Sequence, residues 1–212
     1  MKLFDDLLAG YRRFREGRWR DQRDRWTDLA TGQNPQVMVI ACSDSRVDPT
    51  QIFDVDPGEI FVVRNVAALV PPFEKSPGYH GVSAALEFAV QFLKVREIVV
   101  MGHGLCGGCK AALTQSLQGE EPGRGGFITD WIELLDAARA EVVAAHGVEG
   151  RPAERAMEQA GVKISLANLR TFPFITELEG AGALRLRGAF FAISDGRLHV
   201  LDEASGGFAP VE

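Results

Sequence analysis

Apolar residues recur every three or four positions through Leu3, Leu7, Tyr11 and Phe14, and Trp19, Trp26 and Leu29 follow beyond Gly17. Residues 2–30 therefore read as one or two amphipathic helices. The pattern then changes to short apolar, β-branched runs. Val37-Met-Val-Ile-Ala41 ends at Cys42, Ile60-Phe-Val-Val63 follows the turn-like Asp56-Pro-Gly58, and Glu97-Ile-Val-Val-Met101 leads to His103. Each reads as a strand. A loop or short helix is expected between the first two, and Val82, Leu86, Ala89, Val90 and Leu93 place one helical face within Gly81–Val95. Further helices are expected from near Gly107 toward Leu117, then around Trp131–Val143 and Ala153–Leu169. Ala189-Phe-Phe-Ala192 and Leu198-His-Val-Leu201, around Ser194-Asp-Gly196, read as one more strand or a hairpin.

Strands alternating with helices predict an α/β fold: a mostly parallel central β-sheet flanked by helices, with an N-terminal helical arm. The expected division is a helical arm over 1–30 and an α/β domain over 31–212. In open parallel sheets ligands bind outside the carboxyl ends of the strands, which is where Cys42 and His103 fall.

The bulk numbers narrow the partners. A length of 212 residues with 46% hydrophobic residues suffices for one well-buried core, and a formal charge of -6 argues against nucleic acid or an anionic membrane. The arm mixes Arg with Tyr11, Phe14, Trp19 and Trp26, but Glu16, Asp21 and Asp24 interrupt any continuous basic face. Acids occupy the place of a signal peptide's apolar core, and no apolar run reaches the roughly 18 residues of a membrane span. The expected location is cytoplasmic. Three Cys are too few and odd in number for a disulfide framework, whereas a reducing compartment leaves thiols free for metal.

The candidate chemistry lies in Cys42-Ser-Asp44-Ser-Arg46 and His103-Gly-Leu-Cys106, each placed just after a strand. Two Cys and one His make a zinc site with a fourth position for water or Asp44, the open position that separates catalytic from structural zinc. His-x-x-Cys at a helix start turns both side chains toward one metal, and the helix dipole favours the thiolate. Three rival readings fit less of the chain. Gly102-His-Gly-Leu-Cys-Gly107 matches a dinucleotide-binding turn, but Glu120 and Glu121 follow no strand. Cys106-Gly-Gly-Cys109 matches a redox pair yet gives His103 no role, so Cys109 reads as a packed small side chain. A Cys42 nucleophile lacks an evident general base.

With these residues in place, the chain resembles the β-class carbonic anhydrases, and its plant-like, open-site branch in particular. The resemblance extends to Pro57–Ala67, Val70-Pro-Pro-Phe73, Gly81–Glu87 and Asn168–Pro173, over roughly residues 30–202. It implies zinc-dependent, reversible hydration of carbon dioxide to bicarbonate and a proton by attack of zinc hydroxide. Cys42, His103 and Cys106 would bind zinc. Asp44 would pair with Arg46, orienting the reacting hydroxide, or take the fourth metal position in a resting form. By the same resemblance Gln33 reaches substrate across a dimer interface, Phe61 and Phe88 wall the pocket, and the Gly107 N–H binds substrate. A homodimer or dimer of dimers is implied, with carbon dioxide or bicarbonate as the small-molecule partner. Val39 stands where the bicarbonate-regulated branch has Trp. Phe88 and Phe92 replace a Tyr and a His of the plant-like branch, which leaves Tyr79 and His80 as candidate proton carriers. Two thiolates also cancel the formal charge of zinc, so activity is expected to rise with pH. Two alternatives share the scaffold: a non-catalytic bicarbonate sensor, and a hydrolase of carbon disulfide or carbonyl sulfide.

Overall fold

The computed structural model describes residues 3–212, so Met1 and Lys2 of the expected arm lie outside the described residues. The described chain forms two compact units divided between Asn34 and Pro35.

The first unit contains three helices, α1 (Phe4–Glu16), α2 (Arg18–Asp21) and α3 (Arg23–Leu29). The expected one or two helices are broken at Gly17, whose backbone is non-helical, and again at Gln22. Phe14 and Trp26 meet edge to face at 5.8 Å, with Arg18 over the Phe14 ring. Leu3, Phe4, Leu7 and Tyr11 form an apolar stripe along α1 that remains exposed.

The second unit begins with β1 (Val37–Cys42), α4 (Pro49–Ile52), β2 (Ile60–Asn65), α5 (Gly81–Glu87), β3 (Glu97–His103) and α6 (Gly107–Thr114). It continues with α7 (Gly126–Ile132), α8 (Asp136–His146), α9 (Arg151–Leu169), α10 (Pro173–Gly180), β4 (Arg185–Ala192), β5 (Arg197–Asp202) and β6 (Gly207–Pro210). The six strands form one sheet in the order β2-β1-β3-β4-β5-β6. The first four are parallel, and β5 and β6 pair antiparallel at one edge. The fold is thus the mostly parallel α/β sheet with an N-terminal helical segment that the sequence implies, completed by a hairpin partner and a sixth strand.

Burial on both faces explains why β1 is apolar throughout rather than alternating. Met38 and Ile40 join Ile98, Val100 and Leu186 in one cluster, while Val39 and Ala41 join Met101 and Ala189 in another. The long helix α9 spans two clusters, contributing Ala153 and Met157 to one and Val162, Leu166 and Leu169 to the other. Gly102 permits its close approach: a Cβ there would lie 2.7 Å from Val162 Cγ2.

After β1 the chain passes to β2 on one side, and after β3 it passes to β4 on the other. The carboxyl ends of adjacent β1 and β3 therefore flank a topological switch point, where diverging connections leave a crevice. Cys42 closes β1 and His103 closes β3.

Candidate metal centre

The sulfurs of Cys42 and Cys106 and a ring nitrogen of His103 all lie within 4.8 Å of one another, and all three residues are buried. Among the described residues no other group of three His, Cys or carboxylate side chains is gathered this way. The strand ends bring Cys42 and His103 together, and the turn after β3 returns Cys106 to them as the cap residue of α6.

The donor set fits a cation on its own chemistry. His103 Nδ1 lies 2.9 Å from the Gly104 carbonyl oxygen, which can only accept, so Nδ1 carries the proton and Nε2 keeps its lone pair. Nε2 is buried without a hydrogen-bond partner of ordinary geometry. The Cys42 thiol is pushed up to about 12 by its hydrogen bond with Cys106 and by burial. Cys106 is likewise pushed up to about 12, chiefly by the Cys109 thiol beside it and further by burial. Burial works to lower His103, but its interactions with Cys42, the Gly104 backbone and Asp44 together outweigh this and raise it. Crowded thiols that resist ionisation and an orphaned imidazole nitrogen are what a divalent metal reverses, because coordination deprotonates thiols outright.

Asp44 and Arg46 stand beside these donors. Asp44 Oδ1 accepts from the Arg46 backbone N–H at 3.0 Å and Nε at 2.9 Å, and Oδ2 accepts from Nη2 at 2.7 Å. This fork holds the Asp44 carboxyl well below the usual carboxylate range. Arg46 Nη2 also donates to the Leu105 carbonyl at 3.0 Å, linking the loop after β1 to the turn after β3.

Two further charged residues shape the centre, and sequence reasoning assigned neither a role. Arg64, at the end of β2, donates through Nε to Cys42 O at 2.9 Å and through Nη2 to Asp44 O at 2.6 Å. Its Nη1 donates to Asp48 Oδ2 at 3.1 Å. Glu158 is only 3% exposed, and its Oε1 accepts from the backbone N–H of Leu105 at 2.7 Å and of Cys106 at 3.3 Å. One signal was available for each: a lone charge closing an apolar strand, and a carboxylate on the apolar face of α9 between Ala153, Met157 and Val162.

Strained backbone packs in the same buried cluster as Cys42 and Cys106. Ala67 and Ala68 are buried with positive φ of 64° and 55°. Asn65 holds that bend through both ends of its side-chain amide, each 2.8 Å from the Leu69 backbone. Gly108 lets α6 start against this bend, since a Cβ there would lie 2.7 Å from Val66 Cγ1. Gly107 precedes it, exposed at the first position of α6, where helix N–H groups lack intrahelical acceptors.

The other residues singled out in the sequence lie elsewhere. Gln33 belongs to the first unit, in exposed chain after α3. Phe61 pairs in register with Met38, whereas Cys42 pairs with Asn65. Four residues of strand, roughly 13 Å, therefore separate Phe61 from the level of Cys42 within one chain. Phe61 and Phe88 pack together at 5.9 Å, and Phe92 stacks on Phe88 at 5.8 Å with its ring largely exposed. His80 Nε2 lies 2.9 Å from Ser76 O, and Tyr79 is fully exposed. Cys109 is packed in the same apolar cluster as Cys42 and Cys106.

Comparison with known proteins agrees with this geometry. The family model described as carbonic anhydrase matches residues 37–198, which include Cys42, Asp44, His103 and Cys106. The chain belongs to the carbonic anhydrase family. A carbonic anhydrase of Pseudomonas aeruginosa is 37% identical over 203 residues, covering 96% of this chain and 90% of that protein. One from Synechocystis is 34% identical over 198 residues, covering 92% of this chain and 70% of its own length. Among solved structures, the β-carbonic anhydrase CcaA superposes with a TM-score of 0.89 at 33% identity, covering 98% of this chain and 92% of its own. A tetrameric β-carbonic anhydrase of Sordaria macrospora gives a TM-score of 0.79 at 31% identity, covering 93% of this chain and 96% of its own. The family is thus the β class, and no described helix is long and apolar enough to cross a membrane.

Proposed function

We propose that this carbonic anhydrase family member uses zinc held by Cys42, His103 and Cys106 to hydrate carbon dioxide reversibly to bicarbonate and a proton. The observation that carries the reading is the gathering of two thiols and an imidazole beside a carboxylate already committed to an arginine. Zinc there would supply Lewis acidity, making water acidic enough to react with carbon dioxide.

The chain's own residues do the rest. Arg46 holds both oxygens of Asp44, which would keep the carboxylate from serving as a further metal ligand. The ionised Asp44 accepts a hydrogen bond from the reacting water and orients its lone pair toward the substrate carbon. The Gly107 N–H, at the start of α6, supplies a donor for the developing bicarbonate oxygen.

Phe61 and Phe88 act on the site of a second copy. The register sets Phe61, on which Phe88 packs, a strand's length from its own Cys42, yet β2 is an edge strand and the Phe88–Phe92 stack is exposed, a combination that calls for a covering partner. The same partner places Gln33 as an amide donor to substrate. The arm supports this assembly by charge: residues 1–34 carry eight Lys or Arg against six Asp or Glu, and the remainder carries fifteen against twenty-three. A basic amphipathic arm packing on the acidic body of a second copy covers Leu3, Phe4, Leu7 and Tyr11.

Stopped-flow hydration of carbon dioxide by purified protein of known zinc content tests the activity. Acceleration that scales with bound zinc is expected; zinc-loaded protein without acceleration contradicts the reading and favours a non-catalytic zinc module.

A further inference from the structure

Leu105 poses a problem of local energetics. It is a bulky residue with φ of 61° and a side chain exposed at 47%, so neither its backbone nor its packing explains the conformation. Left-handed backbone costs a non-glycine residue roughly 1–2 kcal/mol. Yet this turn carries the chain from His103 to Cys106.

The surrounding hydrogen bonds supply the explanation. The Leu105 carbonyl accepts from Arg46 Nη2 at 3.0 Å, and the next N–H, that of Cys106, donates to Glu158 Oε1. The Leu105–Cys106 peptide is therefore gripped at both ends. Glu158 also takes the Leu105 N–H at 2.7 Å, the shortest of these contacts, and two adjacent N–H groups sharing one carboxylate oxygen define the turn. Arg151 fixes the carboxylate from the far side, with Nη1 3.2 Å from Oε1 and Nη2 3.4 Å from Oε2. Arg151 is anchored in turn by Glu154 at 2.7 Å, and Glu154 reaches Lys110 of α6 at 3.2 Å. A network rooted on α9 thus ends on the peptide that bears a metal donor.

We propose that Glu158 is a positioning residue: through the Leu105–Cys106 peptide it sets both the direction of the Cys106 thiolate and the seat of Arg46 against Asp44. The inference rests on the metal-site reading above. Partners that orient metal ligands typically change metal affinity by about 10–100-fold when removed. A carboxylate that served only as a buried half of an ion pair would lower stability without altering the metal's surroundings.

The test loads the purified chain and its variants with cobalt(II), recording the visible and thiolate charge-transfer bands and the rate of metal release to a chelator. E158A removes the shared acceptor, and its bands are expected to shift with release at least about tenfold faster. E158Q keeps an oxygen for both N–H groups and is expected to retain the parent bands. L169A, a cavity variant at the other end of α9, is expected to melt earlier but keep the parent bands and release rate. Where E158A does not fold, E158D carries the test, because it retains the charge beside Arg151 but withdraws the oxygen from the turn; shifted bands are again expected. Parent-like bands and release in cobalt-loaded E158A or E158D overturn the inference alone. A parent chain that takes up no cobalt overturns the metal-site reading and this inference with it.

Discussion

The chemistry at the scale of single residues turns on charge. Cys42 and Cys106, both raised to about 12, are protonated at pH 8 before any metal arrives. Coordination requires thiolates, so loading at pH 8 should release about two protons per metal from these groups. Calorimetry in buffers of different ionisation enthalpy measures that number; a value near zero would mean the thiols were already ionised. Asp44 behaves oppositely, because Arg46 keeps it charged, and its proposed work is done as a carboxylate. D44N should therefore lower turnover by about 100-fold or more with zinc content unchanged, a size typical of a lost acid–base group. Unchanged turnover in stopped flow would remove Asp44 from the mechanism. The donors and the Asp44–Arg46 pair were legible in sequence because each follows a β-branched run that ends at the sheet's carboxyl edge. Arg64 and Glu158 stood out only as charges in apolar surroundings, and their roles were not legible because each acts on backbone groups many residues away.

At the scale of elements, the strands were read closely because burial on both faces makes them continuous apolar runs. Three departures have physical causes. The helix expected to reach Val95 ends as α5 at Glu87, continues as a wide π-type turn over Phe88–Phe92 and closes at Lys94 with φ of 56°. Helical periodicity persists through that turn, so the apolar spacing alone could not reveal it. The short α10 begins at Pro173, beyond the helix expected to end at Leu169, and at eight residues it is too short to repeat an apolar period more than twice. β6 has four residues, ends in proline and lies at a sheet edge, which leaves almost no strand signal. One element near the site can be tested by pH. Asp48 caps α4 by accepting from the Thr50 N–H at 2.9 Å, and hydrogen bonding from the Thr50 hydroxyl is the main cause of its lowered pKa. A carboxyl lowered by folding adds stability above its unfolded value and loses it as pH falls through its folded value. D48A should accordingly cost about 1 kcal/mol at pH 7. That deficit should shrink in thermal melts below about pH 4, the ordinary carboxylate range. A deficit that stays constant from pH 7 to pH 3 would contradict the assignment.

For the whole molecule, the sheet order decides where chemistry is possible and the exposed apolar surface decides how the chain is used. The switch point between β1 and β3 joins two segments about sixty residues apart, which explains why the site was visible as two motifs but its pocket was not. Phe61 and Phe88 read as pocket residues from family resemblance, yet the register separates Phe61, against which Phe88 packs, from Cys42 in one chain, and the proposed second copy would present them. Deleting residues 1–28 should then shift the protein toward monomer in sedimentation velocity and lower turnover while each chain keeps its zinc. An intact dimer after the deletion would refute the role assigned to the arm. The central claim, that Cys42, His103 and Cys106 form one zinc centre per chain that drives hydration, meets its most direct test in a titration. Metal-stripped protein receives zinc in steps, and stopped-flow turnover is recorded at each. The account predicts a linear rise from the uncatalysed rate that breaks at one equivalent per chain; full activity without zinc, or none at one equivalent, would contradict it.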